Sequence, residues 1–318
     1  MDLYDINGGK LNQVDLNSFK LEKEIQNLVE KNTQTLFDLE FVSTEFSVNN
    51  FRIDTLCFDE ESNSFVIIEY KKGSSYSVID QGYSYLSIML NNKSDFILEY
   101  NERCDKTLIR DKIDWSQSRI IFISPSFNSY QKNSVNFKDV PFELWEINRY
   151  SNNTISLNQI ISKSTESINT STNKGRKNII NKVSEEIKVI SEEDHTNKTS
   201  DKIIENWRKL KNLILELEGV EILIKKSYIS VVFGKKTLCY CNFKTKNIFI
   251  EINRGIKKVG GEKSKNFFNI DDPKKLTTTY SWTWKSGDRG NVYKIKFDDK
   301  TDLNYLIFLL KQKYESLS

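Results

Sequence analysis

The residues best suited to chemistry lie between positions 51 and 71, where three charged side chains stand among aliphatic and aromatic neighbours. Two apolar runs flank a polar tetrapeptide at residues 60–63, a pattern that predicts two antiparallel strands joined by a turn. Because alternate side chains of a strand share a face, Asp54, Glu69 and Lys71 take strand positions otherwise filled by Leu, Ile and Phe. Leaving such charges unpaired costs on the order of several kcal/mol each.

A bound metal ion would remove the cost of these charges. Two carboxylates beside an ammonium group suit Mg2+, a hard cation that binds one or two carboxylates and keeps several waters. We expect Mn2+ to substitute for it. Lys71 is then placed to orient or activate a water molecule, or to stabilise charge on a phosphate, which implies phosphodiester hydrolysis. The structural alternative is a Glu69–Lys71 ion pair on a half-exposed edge strand, with Asp54 as a surface acid.

A helix is predicted after the second strand, at residues 78–91, because its apolar residues recur at helical spacing. Gln81 and Tyr85 are four residues apart, so they share one face and reach toward the same cleft as the charged residues. Taken alone, the pair is equally compatible with a Tyr that packs in the core of an amphipathic helix.

Together these motifs resemble the PD-(D/E)XK nuclease superfamily, in the RecB-like branch that adds a QxxxY helix. The segment 21–41 resembles the first helix of that branch. The resemblance covers about residues 20–150, and Ile53 stands where the superfamily motif has Pro, a residue that this branch commonly lacks. The matching residues are Asp54, Glu69-Tyr70-Lys71, Gln81 and Tyr85.

The resemblance implies a role for each matched residue. Lys71 would be the catalytic lysine, and Gln81 and Tyr85 would steady the metal site or the scissile phosphate. Glu24 lies where this branch often supplies a further carboxylate, and Glu45 on a predicted strand is its rival. The implied metal ligands are Asp54, Glu69 and the main-chain carbonyl of Tyr70.

The wider pattern predicts two domains, since 318 residues exceed the usual size of one. The resemblance and the order of predicted strands make residues 1–160 an α/β restriction-endonuclease-like domain with a mixed central sheet. Residues 161–200 are rich in Ser, Thr, Asn and Lys, which predicts a polar linker. One short helix within it would dock on a neighbouring domain or on a second subunit. Residues 201–318 have a helix, several strands and a closing helix, which predicts an α+β domain.

The second domain resembles a small C-terminal domain of unsettled function, sometimes labelled a predicted transport protein, that follows RecB-like halves. Nothing in the residues supports transport, because no apolar run approaches the roughly 20 residues that span a bilayer. The N-terminus lacks a basic region followed by an apolar core, so we expect a cytoplasmic protein with no membrane contact.

Charge is distributed unequally between the two halves. Residues 201–318 hold 24 Lys and Arg against 14 Asp and Glu, whereas residues 1–200 hold 23 against 30. The second domain is therefore the expected contact for a phosphate backbone, with tryptophans placed to stack bases. The alternative is a solvated basic surface with two core tryptophans. The candidate nucleic-acid-binding residues are Lys235, Lys236, Lys257, Lys258, Trp282, Trp284, Lys285 and Arg289.

Other catalytic classes find little support in the sequence. The four cysteines lack zinc-ligand spacing and are expected to be free thiols. The single histidine, His195, lies in the predicted linker, which excludes a His-based triad or zinc site.

Two functional hypotheses follow from these observations. The first is a Mg2+-dependent endonuclease that acts on DNA, with RNA as an open alternative, in defence against foreign DNA or in repair. The second is a non-catalytic nucleic-acid-binding or assembly module that keeps a nuclease scaffold. A homodimer is a reasonable expectation for an enzyme that cuts two strands.

Overall fold

The computed structural model describes residues 2–73, 77–161, 164, 166–168, 177–264, 267–284 and 286–317. It divides into two compact units, Met1–Val189 and Ile190–Ser318. Each unit combines helices with one six-stranded sheet, so the chain has a mixed α/β structure.

The first unit begins with a two-stranded hairpin that sequence analysis did not predict, and continues into the predicted α/β pattern. Two short 3-10 helices, Arg110–Lys112 and Trp115–Gln117, precede β6. Its elements are β1 (Leu3–Asn7), β2 (Lys10–Val14), α1 (Glu22–Glu30), α2 (Thr33–Phe37), β3 (Glu40–Val48), β4 (Phe51–Asp59), β5 (Ser64–Tyr70), α3 (Val78–Asn91), α4 (Lys93–Arg103), β6 (Arg119–Ser124), α5 (Ser129–Ser134), β7 (Phe142–Arg149), β8 (Ile155–Ile160) and α6 (Lys177–Glu186).

The central sheet of this unit has the strand order β3-β4-β5-β6-β7-β8. Strands β3, β4 and β5 are antiparallel neighbours, β6 and β7 continue in parallel, and β8 returns antiparallel. The turn between β3 and β4 lies at Asn49, whose φ of 52° is a conformation that Asn tolerates better than most residues. The predicted mixed sheet is therefore confirmed.

The two faces of this sheet bury separate apolar clusters. Leu56 and Ile67 lie in the cluster that includes α3 and α4, whereas Cys57 and Ile68 lie in the cluster that includes α1. This alternation is the period of two expected of strands. The side chains of β5 that share a face with Ile67 therefore meet α3.

Helix α3 approaches the sheet closely at Gly82. A Cβ atom there would lie 2.5 Å from the ring of Phe142, on β7. That ring packs edge-on against Tyr83 and Phe122, with centroid distances of 5.0 and 5.9 Å, so it has little room to turn aside. Glycine at this position sets the distance between α3 and the sheet.

The segment 161–200, predicted to be a linker, is divided between the two units. Ile180, Val183 and Ile187 are buried in the first apolar cluster, where α6 packs on α3. Residues 162, 163, 165 and 169–176 lie outside the described part of the chain. His195 belongs to the second unit, where its Nε2 lies 2.7 Å from the Lys225 carbonyl oxygen. The apolar residues at helical spacing explain the difference, because they bury a face that a solvated linker would leave in water.

The second unit is a helix-backed antiparallel sheet with the strand order β13-β14-β12-β11-β10-β9. Its core includes Trp207 of α8 and Leu309 of α9, packed on one face of the sheet with Ile250 and Ile295. None of the described helices is long and apolar enough to cross a membrane. The elements are α7 (Glu192–Thr196), α8 (Asp201–Leu215), β9 (Val220–Ile224), β10 (Ile229–Phe233), β11 (Lys236–Phe243), β12 (Ile248–Lys257), β13 (Thr278–Thr283), β14 (Arg289–Phe297) and α9 (Leu303–Glu315).

We expect the Gly82→Ala substitution to destabilise the first unit. Ala favours a helix by about 1 kcal/mol over Gly, but overpacking against Phe142 costs about 1–3 kcal/mol, so the free energy of unfolding falls or at best stays level. Urea unfolding followed by circular dichroism measures the change. Ser87→Ala, a change on the partly exposed side of the same helix, is the control and is expected to alter the free energy by less than about 0.5 kcal/mol.

A double-mutant cycle with Phe142→Leu tests the cause. Because Leu removes the ring edge that the new Cβ meets, Gly82→Ala is expected to cost less in the Phe142→Leu background than in the wild type. Equal costs in both backgrounds would contradict the proposed contact.

Candidate active site

The site centres on the carboxylate of Glu69, which is buried at the end of β5. Its Oε1 accepts hydrogen bonds from Lys71 Nζ and from Gln81 Nε2, each at 2.7 Å, and lies 3.4 Å from the Tyr85 hydroxyl. Its Oε2 is buried and has no hydrogen-bond partner among the described residues. One oxygen of the carboxylate therefore accepts two short hydrogen bonds, and the other accepts none from the described residues.

Asp54 lies beside Glu69 on the neighbouring strand, because Thr55 pairs with Ile68 in the antiparallel register. Its Oδ2 accepts a hydrogen bond of 3.1 Å from the main-chain N–H of Tyr70. The Tyr70 side chain lies on the opposite face of the sheet, with its hydroxyl 3.1 Å from Thr55 Oγ1. The predicted ligand role of Tyr70 thus concerns its main-chain carbonyl.

Helix α3 supplies the two polar side chains that sequence analysis placed near the charges. Ser77 caps the helix by accepting a hydrogen bond from the Asp80 N–H. Gln81 Nε2 also donates to the Tyr85 hydroxyl at 3.2 Å, and that hydroxyl donates to the Arg52 carbonyl oxygen on β4 at 3.2 Å. The helix is therefore tied to both strands of the hairpin through these residues.

Burial dominates the electrostatics of the two acids. Burial, and next the charge of Asp54, raise the pKa of Glu69 to about 7 against the lowering effect of Lys71. Burial also raises the pKa of Asp54, opposed by the hydrogen bond from Tyr70 and by the charge of Lys71. Burial and the Glu69 charge raise the pKa of Tyr85 to about 12. Burial thus disfavours the charged form of both acids, and a bound cation would favour that form.

Gln26 supports Asp54 from α1 and was not predicted. Its buried amide donates to the Asp54 carbonyl oxygen at 3.0 Å and to the side chains of Glu30 and Thr44 at 2.9 and 3.2 Å. Thr55 donates to the same Glu30 at 2.7 Å. The signal in the sequence was faint, because Gln26 is one of several polar residues between the apolar positions of a predicted helix.

Both candidates for an extra carboxylate are engaged elsewhere. Glu24 pairs with Arg149 at 3.2 Å, and Glu45 pairs with Lys23 at 2.6 Å and with Arg52 at 3.5 Å. The acid of α1 that acts on Asp54 is Glu22, whose charge raises the pKa of that carboxyl. Across the described residues, no three His, Cys, Asp or Glu side chains form a group able to hold a metal ion. The site therefore has two carboxylates, and the structure does not bring Glu24 together with them.

The candidate nucleic-acid-binding residues of the second unit fall into two groups. Lys257 pairs with Arg289 across β12 and β14, and Thr283, next to Trp282 and Trp284, pairs with the same Arg289. Lys258 follows β12 directly. In the β10–β11 turn, Lys235 is exposed and Lys236 donates to the Leu317 carbonyl oxygen at 2.7 Å. Lys285 lies outside the described residues.

We expect Glu69 to make the metal-free protein less stable as pH rises. Its pKa is about 7 in the folded chain against an ordinary value of 4.5, so the folded state holds an extra proton between these values. The free energy of unfolding therefore falls as pH rises from about 4.5 to 7. Glu69→Gln lacks this contribution. Its free energy of unfolding is therefore expected to rise relative to that of the wild type by on the order of 3 kcal/mol between about pH 4.5 and pH 7.

Urea unfolding in EDTA between about pH 5 and pH 8 measures this difference. Glu60→Gln, the same substitution at an exposed residue in the β4–β5 turn, is expected to run parallel to the wild type. Parallel curves for Glu69→Gln as well would show that Glu69 titrates normally.

Two solved structures are similar to part of the chain. A repair endonuclease from Pyrococcus abyssi is 17% identical, with a TM-score of 0.25, over 37% of this chain and 44% of its own. The EndoMS-dsDNA2 complex is 17% identical, with a TM-score of 0.27, over 42% of this chain and 48% of its own. Each likeness spans less than half of either chain, so the function proposed below depends on the geometry of the site alone.

Similarity along the whole chain is found in a protein from Haemophilus influenzae that is described as uncharacterized. The two sequences are 42% identical over 317 residues, which cover 98% of this chain and 99% of the relative. No family model matches the chain. The chain therefore belongs to the same protein family as this uncharacterized protein of H. influenzae.

Proposed function

We propose that the first unit hydrolyses phosphodiester bonds in nucleic acid, with DNA as the expected substrate, using a divalent cation held by Asp54 and Glu69. The observation that carries this proposal is the buried Oε2 of Glu69, which lacks a hydrogen-bond partner among the described residues. A buried carboxylate oxygen without a hydrogen bond lowers stability by about 1–3 kcal/mol or more, because it has given up hydrogen bonds to water and gained none in the protein. A cation at that oxygen would remove the cost.

The chemistry of the donor set fits a hard cation. The proposed ligands are two carboxylates and, as the resemblance implies, the main-chain carbonyl of Tyr70; all are oxygen donors, and the described residues show no group of three His, Cys, Asp or Glu side chains that would suit another metal. Mg2+ accepts one or two carboxylates and completes its shell with water and phosphate oxygens. Mn2+ accepts the same ligands, so it is expected to substitute.

The protein side chains have distinct tasks in this proposal. A divalent cation supplies an activated water and stabilises negative charge on the phosphate. Lys71 and Gln81 both donate to Oε1 of Glu69, so they fix the carboxylate and leave Oε2 for the cation. A lysine ammonium has three N–H donors, so Lys71 also serves a phosphate oxygen or the attacking water. Tyr85 positions Gln81 and does not need to touch the substrate.

The raised pKa of Glu69 gives the reaction a pH dependence. Cation binding requires the ionised carboxylate, so the proton that Glu69 holds below about pH 7 must leave first. Cleavage is therefore expected to increase as pH rises through about 7.

We expect Glu69→Gln and Lys71→Met to lower the cleavage rate by about 100-fold or more, because each removes a charged group from the reacting centre. The assay follows supercoiled plasmid, single-stranded DNA and RNA with Mg2+ or Mn2+. Glu60→Gln removes the same charge at the opposite end of the β4–β5 hairpin and is expected to cleave like the wild type. Failure of the wild type on every substrate, with nucleic-acid binding indifferent to EDTA, would instead favour a non-catalytic binding module.

Cation binding has its own readout in thermal unfolding. We expect millimolar Mg2+ to raise the melting temperature of the wild type, since a ligand that binds the folded state stabilises it by mass action. Glu69→Gln is expected to lose this shift and Glu60→Gln to keep it. An equal shift in all three proteins would place the bound cation elsewhere.

A further inference from the structure

The edge strand β13 of the second unit is exposed along its whole length. All six residues of Thr278–Thr283 are exposed, and none is charged. Natural edge strands usually carry charges or proline that discourage contact, so an uncharged edge indicates a surface kept for a partner.

The exposed face of this strand carries a row of aromatic rings. Tyr280, Trp282 and Trp284 are 53%, 36% and 41% exposed. The rings of Tyr280 and Trp282 stack with centroids 6.4 Å apart at 29°, and those of Trp282 and Trp284 meet edge-on at 5.6 Å. We call these three residues the aromatic row.

The aromatic row lies on the face of the sheet opposite the helices. Tyr293 and Ile295 of β14 belong to the core that the helices cover, so the alternate residues of β14 face the other way. Tyr280 pairs with Val292 and Trp282 with Gly290, which puts both rings on the face opposite the helices.

The indole ring of Trp282 packs on the backbone of Gly290. A Cβ atom at Gly290 would lie 2.3 Å from the indole ring, so the ring lies directly over the glycine backbone. This contact fixes one side of the indole against the sheet and leaves the rest of the ring partly exposed. A fixed, exposed aromatic ring loses little conformational entropy when a planar ligand stacks on it.

Two lysines of β14 lie on the same face of the sheet as the aromatic row. Lys294 Nζ is 5.5 Å from the centroid of the Tyr280 ring and 3.1 Å from the Glu251 carboxylate. Lys296 is exposed two residues further along the strand, whereas Arg289 and Lys257 alternate to the face that the helices cover. The excess of 24 Lys and Arg over 14 Asp and Glu in residues 201–318 has the same sign. The ligand that complements this surface is a polyanion that also carries planar aromatic groups.

We propose that the aromatic row and its flanking cations bind single-stranded nucleic acid, with bases stacked on Trp282 and Trp284 and phosphates near Lys294 and Lys296. Ring faces accept only unstacked bases, whereas a duplex keeps its bases stacked inside. Stacking tolerates every base, so binding is expected to depend weakly on sequence and strongly on salt.

Fluorescence anisotropy of the full-length protein with a labelled oligo-dT, in EDTA and over a series of NaCl concentrations, tests this proposal. EDTA removes the cation of the first unit, so failure of binding and failure of cleavage are separate results. Trp282→Leu and Trp284→Leu keep an apolar side chain but remove the ring, and each is expected to weaken binding by about tenfold. Phe308→Leu, at an exposed aromatic on α9, is expected to bind like the wild type.

Charge is tested in the same assay. Lys296→Ala is expected to weaken binding and to lower the slope of log affinity against log salt by the equivalent of about one phosphate contact, whereas Lys311→Ala on α9 removes one charge without either effect. Circular dichroism confirms that each variant is folded, and Trp284→Leu, beyond the end of β13, keeps the test open if Trp282→Leu does not fold.

Three results would overturn the proposal. Unchanged affinity in both tryptophan variants would remove the aromatic row from the interface. Tighter binding of a duplex than of oligo-dT would point to backbone contacts without stacking. Trp282-dependent self-association in light scattering, with no nucleic-acid binding, would assign the edge strand to a second copy of the chain. A parallel titration with oligo-rU distinguishes RNA from DNA as the bound strand.

Discussion

The first unit depends on one buried carboxylate that its surroundings satisfy unevenly. Lys71 and Gln81 both donate hydrogen bonds to Oε1 of Glu69, whereas Oε2 has no donor among the described residues. Evenly paired, the same carboxylate and Lys71 would form a closed ion pair, which contributes little to stability once desolvation is counted. The unpaired oxygen is therefore the one open to a further ligand, and the second acid, Asp54, lies beside Glu69 on the neighbouring strand.

The rest of the fold holds this asymmetry in place. Helix α3 must lie close enough for Gln81 to reach Glu69, and the missing side chain at Gly82 allows that approach to β7. On the other side of the sheet, the amide of Gln26 anchors the main chain at Asp54. Close packing thus fixes the geometry of the polar groups from both faces, as interiors of native density do.

The sequence was informative where a residue type conflicted with its neighbours. Charges among aliphatic residues identified Asp54, Glu69 and Lys71, and helical spacing identified Gln81 and Tyr85, which the structure gathers at one carboxylate. The mixed sheet followed from strand order. Contacts between distant segments could not be recognised in this way. Glu24 was assigned to the site, but it forms an ion pair with Arg149, which is 125 residues away on strand β7.

Composition was a weaker guide to domain boundaries than spacing. The apolar spacing around Ile180 predicted a short docking helix, which the structure shows as α6 packed on α3, but the polar composition of residues 161–200 assigned that helix to a linker and not to the first unit. Strand β13 was missed because all six of its residues are exposed, so it has no alternation of buried and exposed positions. The sequence still identified Trp282 and Trp284 as candidate rings for base stacking, without predicting the strand that carries Trp282.

The polar groups at Glu69 all come from one continuous stretch, the β4–β5 hairpin and the helix that follows it. Loop closure over so short a span costs little entropy, so the contacts among these groups are local in the chain. Strands β7 and β8 extend the sheet without contributing a group to the carboxylate. Longer connections near β7 and β8 therefore need not change the polar groups that surround Glu69, and the same hairpin and helix suit scaffolds of quite different size.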